Sequence, residues 1–304
     1  MSKPDLTAVV VTYKTRELLS NCLASFYAEL EGSGVHGKII VVDNASADGT
    51  IEMLSQKFPE AILIPNSENY GPAKAFNQGI AQAIYQSDLI LVLNSDIEII
   101  PGTLKTMLDY LKENPEISGV SGPLMNPDQT RQLMKTHIWS FRKPDFNKSF
   151  PIEFIGTTFA MIRAAVYRKI GGYDENYYFY NEDLDWAERA KRGRIRFMYL
   201  PDAGVIHFLS KGSDQNRSRI TRELYWSNIY YYKKFYPRLA WLSFYGMKVD
   251  LKRRARELKS KLVHADNLQE KERINQALED LKVSRERMNQ EFRTKRTPKI
   301  PFWN

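Results

Sequence analysis

The chain has 304 residues, 43% of them hydrophobic and 26% charged, with 44 Lys and Arg against 36 Asp and Glu and a single cysteine. That length supports one large domain or two modest ones, each with a sizeable core. Ordinary Gly and Pro content, plentiful aromatics and the unpartnered Cys22 exclude collagen, low-complexity disorder and a disulfide-stapled secreted module, and they point to a reducing compartment.

The net charge of +8 is concentrated at one end: residues 251–304 carry 15 Lys and Arg against 8 Asp and Glu, which leaves a net of only +1 for the rest. A basic tail without a recognisable binding module argues against a nucleic-acid partner. Met1–Leu6 runs straight into an apolar strand, so no leader can be drawn and export is not expected. The longest apolar window, Leu239–Val249, is interrupted by Ser243, Gly246 and Lys248 and falls short of the ~18 residues that span a bilayer.

In chain order, Leu6–Thr12, Lys38–Asp43, Ala61–Pro65 and Asp88–Asn94 read as buried parallel strands, because apolar and β-branched residues run through them without alternation. Between them Thr15–Leu30, Ala47–Phe58 and Pro72–Gln86 read as helices, with Thr15 and Asp48 near N-termini and Pro72 in a first turn. This repetition predicts a doubly wound α/β fold with its ligands at the carboxyl ends of the strands. Pro101–Asn114 predicts a further helix and Ile117–Pro123 a strand; Met125–Pro151 loses periodicity and reads as a substrate-facing excursion. Order resumes with Ile152–Ile162, a helix over Arg163–Ile170, a break at Gly171-Gly172, a helix over Glu182–Arg192 and a strand near Ile195–Tyr199.

The chain divides by composition into residues 1–218 and a helical extension, 219–304. Ten aromatics between positions 224 and 249, from Tyr225 and Trp226 to Phe244 and Tyr245, precede a basic stretch that includes Lys252, Arg256 and Lys259. Aromatics beside bases suit a lipid headgroup interface; packing of the rings onto the core is the competing reading. Ile274, Leu278, Leu281, Met288 and Phe292 follow 4-3 spacing, a short coiled-coil signal that allows a homodimer.

The run Gly32–Gly37 matches G-x-G-x-x-G but lies between a helix and the next strand, where it cannot offer a helix N-terminus to a pyrophosphate; it reads as a loop. No Walker A sequence occurs, which disfavours a P-loop hydrolase. The informative residues are acids at strand ends. Asp43 closes the second strand and Asp96 follows the fourth, so both project from one sheet edge, where the first can accept from a base or ribose and the second can ligate Mg2+ or Mn2+; each can equally be a turn former. Glu182, Asp183 and Asp185 crowd a helix start, where the dipole keeps a carboxylate ionised and able to act as a base, although such acids also simply stabilise helices. His207, in VIHF, is either a core histidine or a ligand.

The ordered succession AVVVTYKTRELLSNCLASF, VVDNASADGT, NSENYGPAKAFNQGI, LVLNSD, GTTFAMIRAAVYRKIGGYDENYYFYNEDLDWAERAKRG and VIHF resembles glycosyltransferase family 2, especially its bacterial rhamnosyltransferase-like branch, over roughly residues 6–210. The resemblance implies a GT-A fold with a mainly parallel sheet, a nucleotide-sugar donor, a divalent metal (Mg2+ or Mn2+) and inversion at the anomeric carbon. By position it assigns Thr12, Tyr13 and Asp43 to the nucleotide pocket, and Asn69, Tyr70, Gly71 and Lys74, with Asn77 and Gly79, to the donor stretch. Asn94-Ser95-Asp96 stands where the family has D-x-D, so metal coordination falls to Asp96 and His207. Asp183 becomes the general base, with Gly156, Thr157, Glu182, Asp185 and Trp186 on the acceptor side.

The resulting expectation is an inverting, metal-dependent transferase that uses dTDP-rhamnose or another UDP- or GDP-sugar. Its acceptor is a lipid-linked saccharide of an envelope polymer, and it works in the cytoplasm, peripherally on the inner membrane face. A nucleotidyltransferase would need a glycine- and base-rich loop after the first strand, which TYKTREL lacks; a silent assembly scaffold would be marked by loss of the base, but Asp183 is present.

Overall fold

A strand buried on both faces has no polar side to show, and the runs read above have that character. The computed structural model describes residues 5–134, 144–209 and 217–303. In it these runs form β1 (Leu6–Thr12), β2 (Gly37–Asp43), β3 (Ile62–Pro65) and β4 (Leu89–Asn94), all parallel. The sheet continues through β9 (Phe159–Arg163), β6 (Gly119–Ser121), β10 (Phe197–Tyr199) and β8 (Phe150–Ile152) in the order β3-β2-β1-β4-β9-β6-β10-β8. β9 runs antiparallel to both neighbours, and β8 is antiparallel to β10.

The pleat sends alternate side chains to opposite layers. Leu6, Ala8 and Val10 of β1 join one core with α1 (Arg16–Ser33), α2 (Thr50–Lys57) and α4 (Thr103–Glu113). Val9, together with Ile40 and Val42 of β2, joins the other with α3 (Pro72–Ala83), α5 (Ala164–Ile170) and α6 (Glu182–Arg192). Gly34, left-handed at φ 66°, ends α1, so the Gly32–Gly37 run caps a helix. Glu29 of α1 caps α4: its carboxylate accepts from Gly102 N at 2.7 Å and Leu104 N at 2.9 Å. A second, small sheet sets β11 (Val205–His207) between β5 (Ile97–Ile99) and β7 (Leu124–Met125). Residues 1–4 of the N-terminus and 135–143 of the expected excursion lie outside the described residues.

The chain separates into two compact units, Met1–Glu175 with Glu182–Ser210 and Lys299–Asn304, and Asn176–Asn181 with Lys211–Pro298. In the first unit the chain end forms a strap. Gly172 N donates to Pro301 O at 2.8 Å, Glu175 N to Lys299 O at 2.9 Å, and Lys299 N to Asp174 Oδ1 at 2.9 Å. The strap explains the Gly171-Gly172 pair: a Cβ on Gly172 would lie 2.3 Å from Asn77 Oδ1 and 2.6 Å from the Trp303 ring. Asn77, assigned by resemblance to the donor stretch, is instead buried and tied to Tyr173 through both N and O at 2.8 and 2.9 Å. Gly79 lets α3 approach β1, since a Cβ there would stand 2.3 Å from Val9 Cγ1.

The second unit holds α7 (Arg217–Phe235), α8 (Ala240–Val263) and α9 (Leu268–Arg293), the last capped by Asn267, whose Oδ1 accepts from Glu270 N. Its core gathers Tyr225, Ile229, Phe244, Leu251, Leu281 and Met288, with Phe244 stacked on Phe292 at 4.2 Å. The 4-3 stripe of α9 is therefore directed at α7 and α8 of the same chain. Among the aromatics expected at a headgroup interface, Tyr225, Trp226, Tyr230 and Tyr231 are buried inside this unit, because α7 turns them toward its own partners. No helix among the described residues is long and apolar enough to cross a membrane.

Replacement of Gly172 by Ala forces either Asn77 or Trp303 to move. We expect a loss of about 1–3 kcal/mol, read as a lowered denaturant midpoint, accompanied by altered tryptophan emission as Trp303 is displaced.

Candidate functional site

Parallel pairing in register sets the site. Thr12 pairs with Asp43 and Val11 with Asn94, so the carboxyl ends of β2, β1 and β4 present Asp43, Thr12 and Ser95 in one row at strand spacings of about 4.8 Å. The row sits where chain connections diverge from β1, the switch point at which open α/β sheets bind ligands.

Asp43 is buried, and both its oxygens accept from Ser46 N at 3.3 Å. Burial pushes its carboxyl above the ordinary range, Ser46 pulls it back in part, and the charges of Asp48 and Glu52 add to the rise. The turn behind it is strained, with Ala45 and Ala47 left-handed at φ 63° and 51°. Its neighbour Asn44 organises the donor stretch: Nδ2 donates to Asn69 Oδ1 at 3.0 Å, and Oδ1 accepts from Tyr70 N and Asn66 Nδ2 at 3.1 Å. Asn69 Oδ1 in turn takes Gly71 N at 2.9 Å. Lys74 lies over the Tyr70 ring at 3.7 Å, a cation–π contact that holds the ammonium beside this loop. Tyr13 is partly exposed at the end of β1, with Lys14 Nζ 5.4 Å from its ring.

A hydroxyl chain ties the strand ends together: Thr12 Oγ1 meets Thr15 Oγ1 at 2.9 Å, and Thr15 Oγ1 meets Ser95 Oγ at 2.8 Å. Ser95 is thus turned inward, while Asn94 N donates to Thr158 O at 3.0 Å. Asp96 faces His207, because antiparallel pairing of β11 with β5 sets His207 opposite Ile97. Asp96 Oδ1 and His207 Nε2 are 3.4 Å apart.

Gln132 fixes that histidine. Its Nε2 donates to Asn126 Oδ1 at 2.9 Å and to His207 O at 2.8 Å, so its Oε1 is the atom that meets His207 Nδ1 at 2.9 Å. An amide oxygen only accepts, which puts the neutral ring's proton on Nδ1 and turns the Nε2 lone pair toward Asp96. Two acceptors so placed could hold a cation between them. A carboxylate oxygen and an imidazole nitrogen at this separation would suit a divalent cation such as Mg2+ or Mn2+. No cluster of three His, Cys, Asp or Glu occurs among the described residues.

Asp183 is the second residue of α6, and its Oδ1 accepts from Leu184 N at 2.7 Å. Its Oδ2 lies 3.6 Å from where a Cβ on Gly156 would be, which sets the glycine directly beside that carboxylate. Two residues on, at most about 7 Å of chain, Thr158 holds Asn94, with the buried Thr157 between. Asp183 thereby joins the same edge as Asn94-Ser95-Asp96. Tyr180 and Asn181, just ahead of α6, are left-handed at φ 66° and 69°. Glu182 is buried, its Oε2 has no hydrogen-bond partner among the described residues, and burial followed by the Asp183 charge pushes its carboxyl up to about 8.

Two residues expected on the acceptor side lie elsewhere. Asp185 is fully buried and binds Arg189 Nε at 2.8 Å, and Trp186 is fully buried with Nε1 donating to Gly171 O at 3.0 Å. A helix turns 100° per residue, so Asp185 faces away from Asp183, and Trp186, though nearer the Asp183 side, is drawn into the core beneath. Sequence reading missed Gln132 and underrated Asn44 and Thr15. Asn44 lay inside VVDNASADGT and Thr15 was visible as a helix start, whereas nothing local marks Gln132.

The Glycosyl transferase family 2 profile matches residues 7–171, more than half of the chain. The N-acetylglucosaminyl-diphospho-decaprenol L-rhamnosyltransferase of Mycobacterium tuberculosis is 27% identical over 235 residues, 66% of this chain and 75% of that protein. The low-salt glycan biosynthesis hexosyltransferase Agl10 of Haloferax volcanii is 24% identical over 232 residues, 73% and 72% of the two chains. Among solved structures, the mannosyltransferase PcManGT from Pyrobaculum calidifontis in complex with GDP-Man and Mn2+ superposes with a TM-score of 0.56 at 17% identity, covering 95% of this chain and 88% of that one. TarS 1–349 from S. aureus in complex with UDP gives a TM-score of 0.56 at 16% identity, covering 95% and 89%. These neighbours share the mixed α/β GT-A architecture. With its strand ends, acids and ordered motifs in one frame, the chain belongs to glycosyl transferase family 2.

Proposed function

We propose that this protein is an inverting glycosyltransferase that moves rhamnose from dTDP-rhamnose onto a lipid-linked or envelope polysaccharide acceptor, working peripherally at the inner face of the bacterial cytoplasmic membrane. The observation that carries the reading is the gathering of Asp43, the Asp96–His207 pair and Asp183 along one sheet edge. The rhamnosyltransferase relative, whose name carries a diphospho-decaprenol acceptor, supports the sugar and the lipid linkage. The UDP- and GDP-Man-bound neighbours keep other nucleotide sugars in the donor panel.

In this reading Asp43 accepts from the imide of the base, and Thr12 and Tyr13 border the same pocket. The loop of Asn69 and Gly71, braced by Asn44, and the Lys74 ammonium lie against the donor, with Asn94 and Ser95 shaping its floor. Asp96 and His207 would hold a divalent cation, which would supply positive charge toward the leaving diphosphate. Asp183 takes the proton from the acceptor hydroxyl as its oxygen attacks the anomeric carbon from the face opposite the diphosphate, which inverts the configuration. Gly156 and Thr157 leave room for that hydroxyl. Glu182, protonated at neutral pH, spares the first turn of α6 a second negative charge beside the base.

The test is nucleotide release across dTDP-, UDP- and GDP-sugars with a lipid-linked acceptor. Asp183→Asn should lower turnover by about 10²–10⁴-fold while nucleotide binding stays unchanged; full turnover by this variant would remove Asp183 from the role of base.

Glu182 gives a stability test with a definite sign. Its folded value of about 8 lies above the ordinary 4.5. The folded state therefore binds the extra proton between these limits, and the group's stabilisation is complete below the lower one and lost as pH rises through the upper. Glu182→Gln should leave the melting temperature nearly level at pH 5 and raise it relative to the parent at pH 9.

Gln132→Leu removes the acceptor that orients His207. We expect Mn2+ affinity, measured by electron paramagnetic resonance with the nucleoside diphosphate present, to fall about 10–100-fold, and Gln132→Glu to recover most of it.

A further inference from the structure

On α8, Trp241, Leu242, Tyr245 and Val249 are 52%, 50%, 61% and 66% exposed. At 100° per residue all four fall within an arc of about 100°, opposite the buried Ala240, Phe244 and Leu251. The same arc continues toward the C-terminus with Lys252, Arg256 and Lys259, all exposed and engaged in no ion pair among the described residues. The acids of the helix lie off the arc and are occupied: Asp250 accepts from Tyr225 and Arg254, and Glu257 from Arg253. One helix face of about 27 Å thus presents four large apolar side chains and then three free cations.

We infer that this face of α8 docks flat on an anionic phospholipid bilayer, with Trp241, Leu242, Tyr245 and Val249 entering the headgroup–acyl boundary and Lys252, Arg256 and Lys259 reaching lipid phosphates. The inference rests on the membrane-proximal part of the proposed function and supplies its surface. It also reverses the sequence reading in one respect, because the dense aromatics of α7 are internal and the contact falls to α8. A second copy of the chain is a poor occupant. Aligned in parallel, two such faces oppose cation to cation; antiparallel, they cover apolar groups with cations. A bilayer accepts both halves at once, since rings settle at the boundary and long basic stems reach outward to phosphate.

The experiment is co-sedimentation of the full chain with vesicles of phosphatidylethanolamine and phosphatidylglycerol, against vesicles of phosphatidylcholine alone. The parent should favour the anionic vesicles by at least about tenfold at low salt, at about fivefold per basic residue near the surface. The variant W241S/Y245S/V249S should lose at least about tenfold on the anionic vesicles. The variant K252Q/R256Q/K259Q should lose the preference between the two lipids. Both should keep the parent melting temperature and nucleotide affinity, since the changed side chains are exposed. Equal sedimentation of parent and variants, or a dimer by light scattering that the serine variant converts to monomer, overturns the inference. A chain that binds vesicles through α8 yet releases nucleotide from no donor would overturn the transferase reading and leave this surface standing; turnover of a lipid-linked acceptor without vesicle binding would do the reverse.

Discussion

Everything at the proposed site depends on the register of β1 between β2 and β4. Each of these strands is apolar on both faces, and a slip by one residue would exchange the side chains of the two core layers, sending Leu6, Ala8 and Val10 against α3 and Val9 against α1. Gly79 adds a steric key, because the close approach of α3 to Val9 exists at one register only. With the layers fixed, the first polar residues past the strands stop at one level, and Asp43, Thr12 and Ser95 fall into line. The core therefore acts as the ruler for the chemistry. Buried carboxylates are costly, and the protein offsets part of that cost locally: Ser46 N donates to both oxygens of Asp43, and burial keeps a proton on Glu182 beside Asp183.

The parts that could be read from sequence are those whose signal is local. β1, β2 and β4 announced themselves as unbroken apolar runs ended by acids, and the helices between them by periodicity and punctuation. β5, β7 and β11 did not. Each has two or three residues, and their meaning comes from pairing across roughly a hundred positions, which joins Ile97 to His207 and Leu124 to Val205. Family resemblance brought His207 and Asp96 together in advance, yet only the register gives the reason. Gln132 is the clearest case of an unreadable residue, since it sits in an aperiodic stretch and acquires its role from three contacts to Asn126 and His207.

The aromatic segment shows the same boundary from another side. A density of rings reports how much surface must be covered and says little about what covers it. In α7 the cover is its own unit: Tyr177 packs on Tyr230 at 5.0 Å, and Trp226 lies against the Arg287 and Arg296 guanidiniums at 5.3 and 5.4 Å. The 4-3 stripe of α9 is likewise absorbed by Phe244 and its neighbours. What is left over, on α8, is smaller than the sequence implied and more informative, because it is the residue of apolar surface that internal packing did not use.

Asp185 and Trp186 are also claimed by internal packing. Expected beside the acceptor, they instead grip the turn after α5: Trp186 donates to Gly171 O, and Arg189, held by Asp185, donates to Ile170 O and Gly172 O. That turn is closed from the other side by Asn77 on Tyr173 and by Pro301 of the C-terminal strap on Gly172. Helix α6 is thereby bolted at its buried face to a turn that cannot shift without disturbing α3 and the chain end. A rigid helix held on one face is fixed as a whole, and Asp183 is in its first turn. The residues that sequence placed in contact with substrate thus bear on Asp183, the proposed base, by orienting the element that carries it, and residues 299–303, remote in sequence from every acid of the proposed site, belong to the same support.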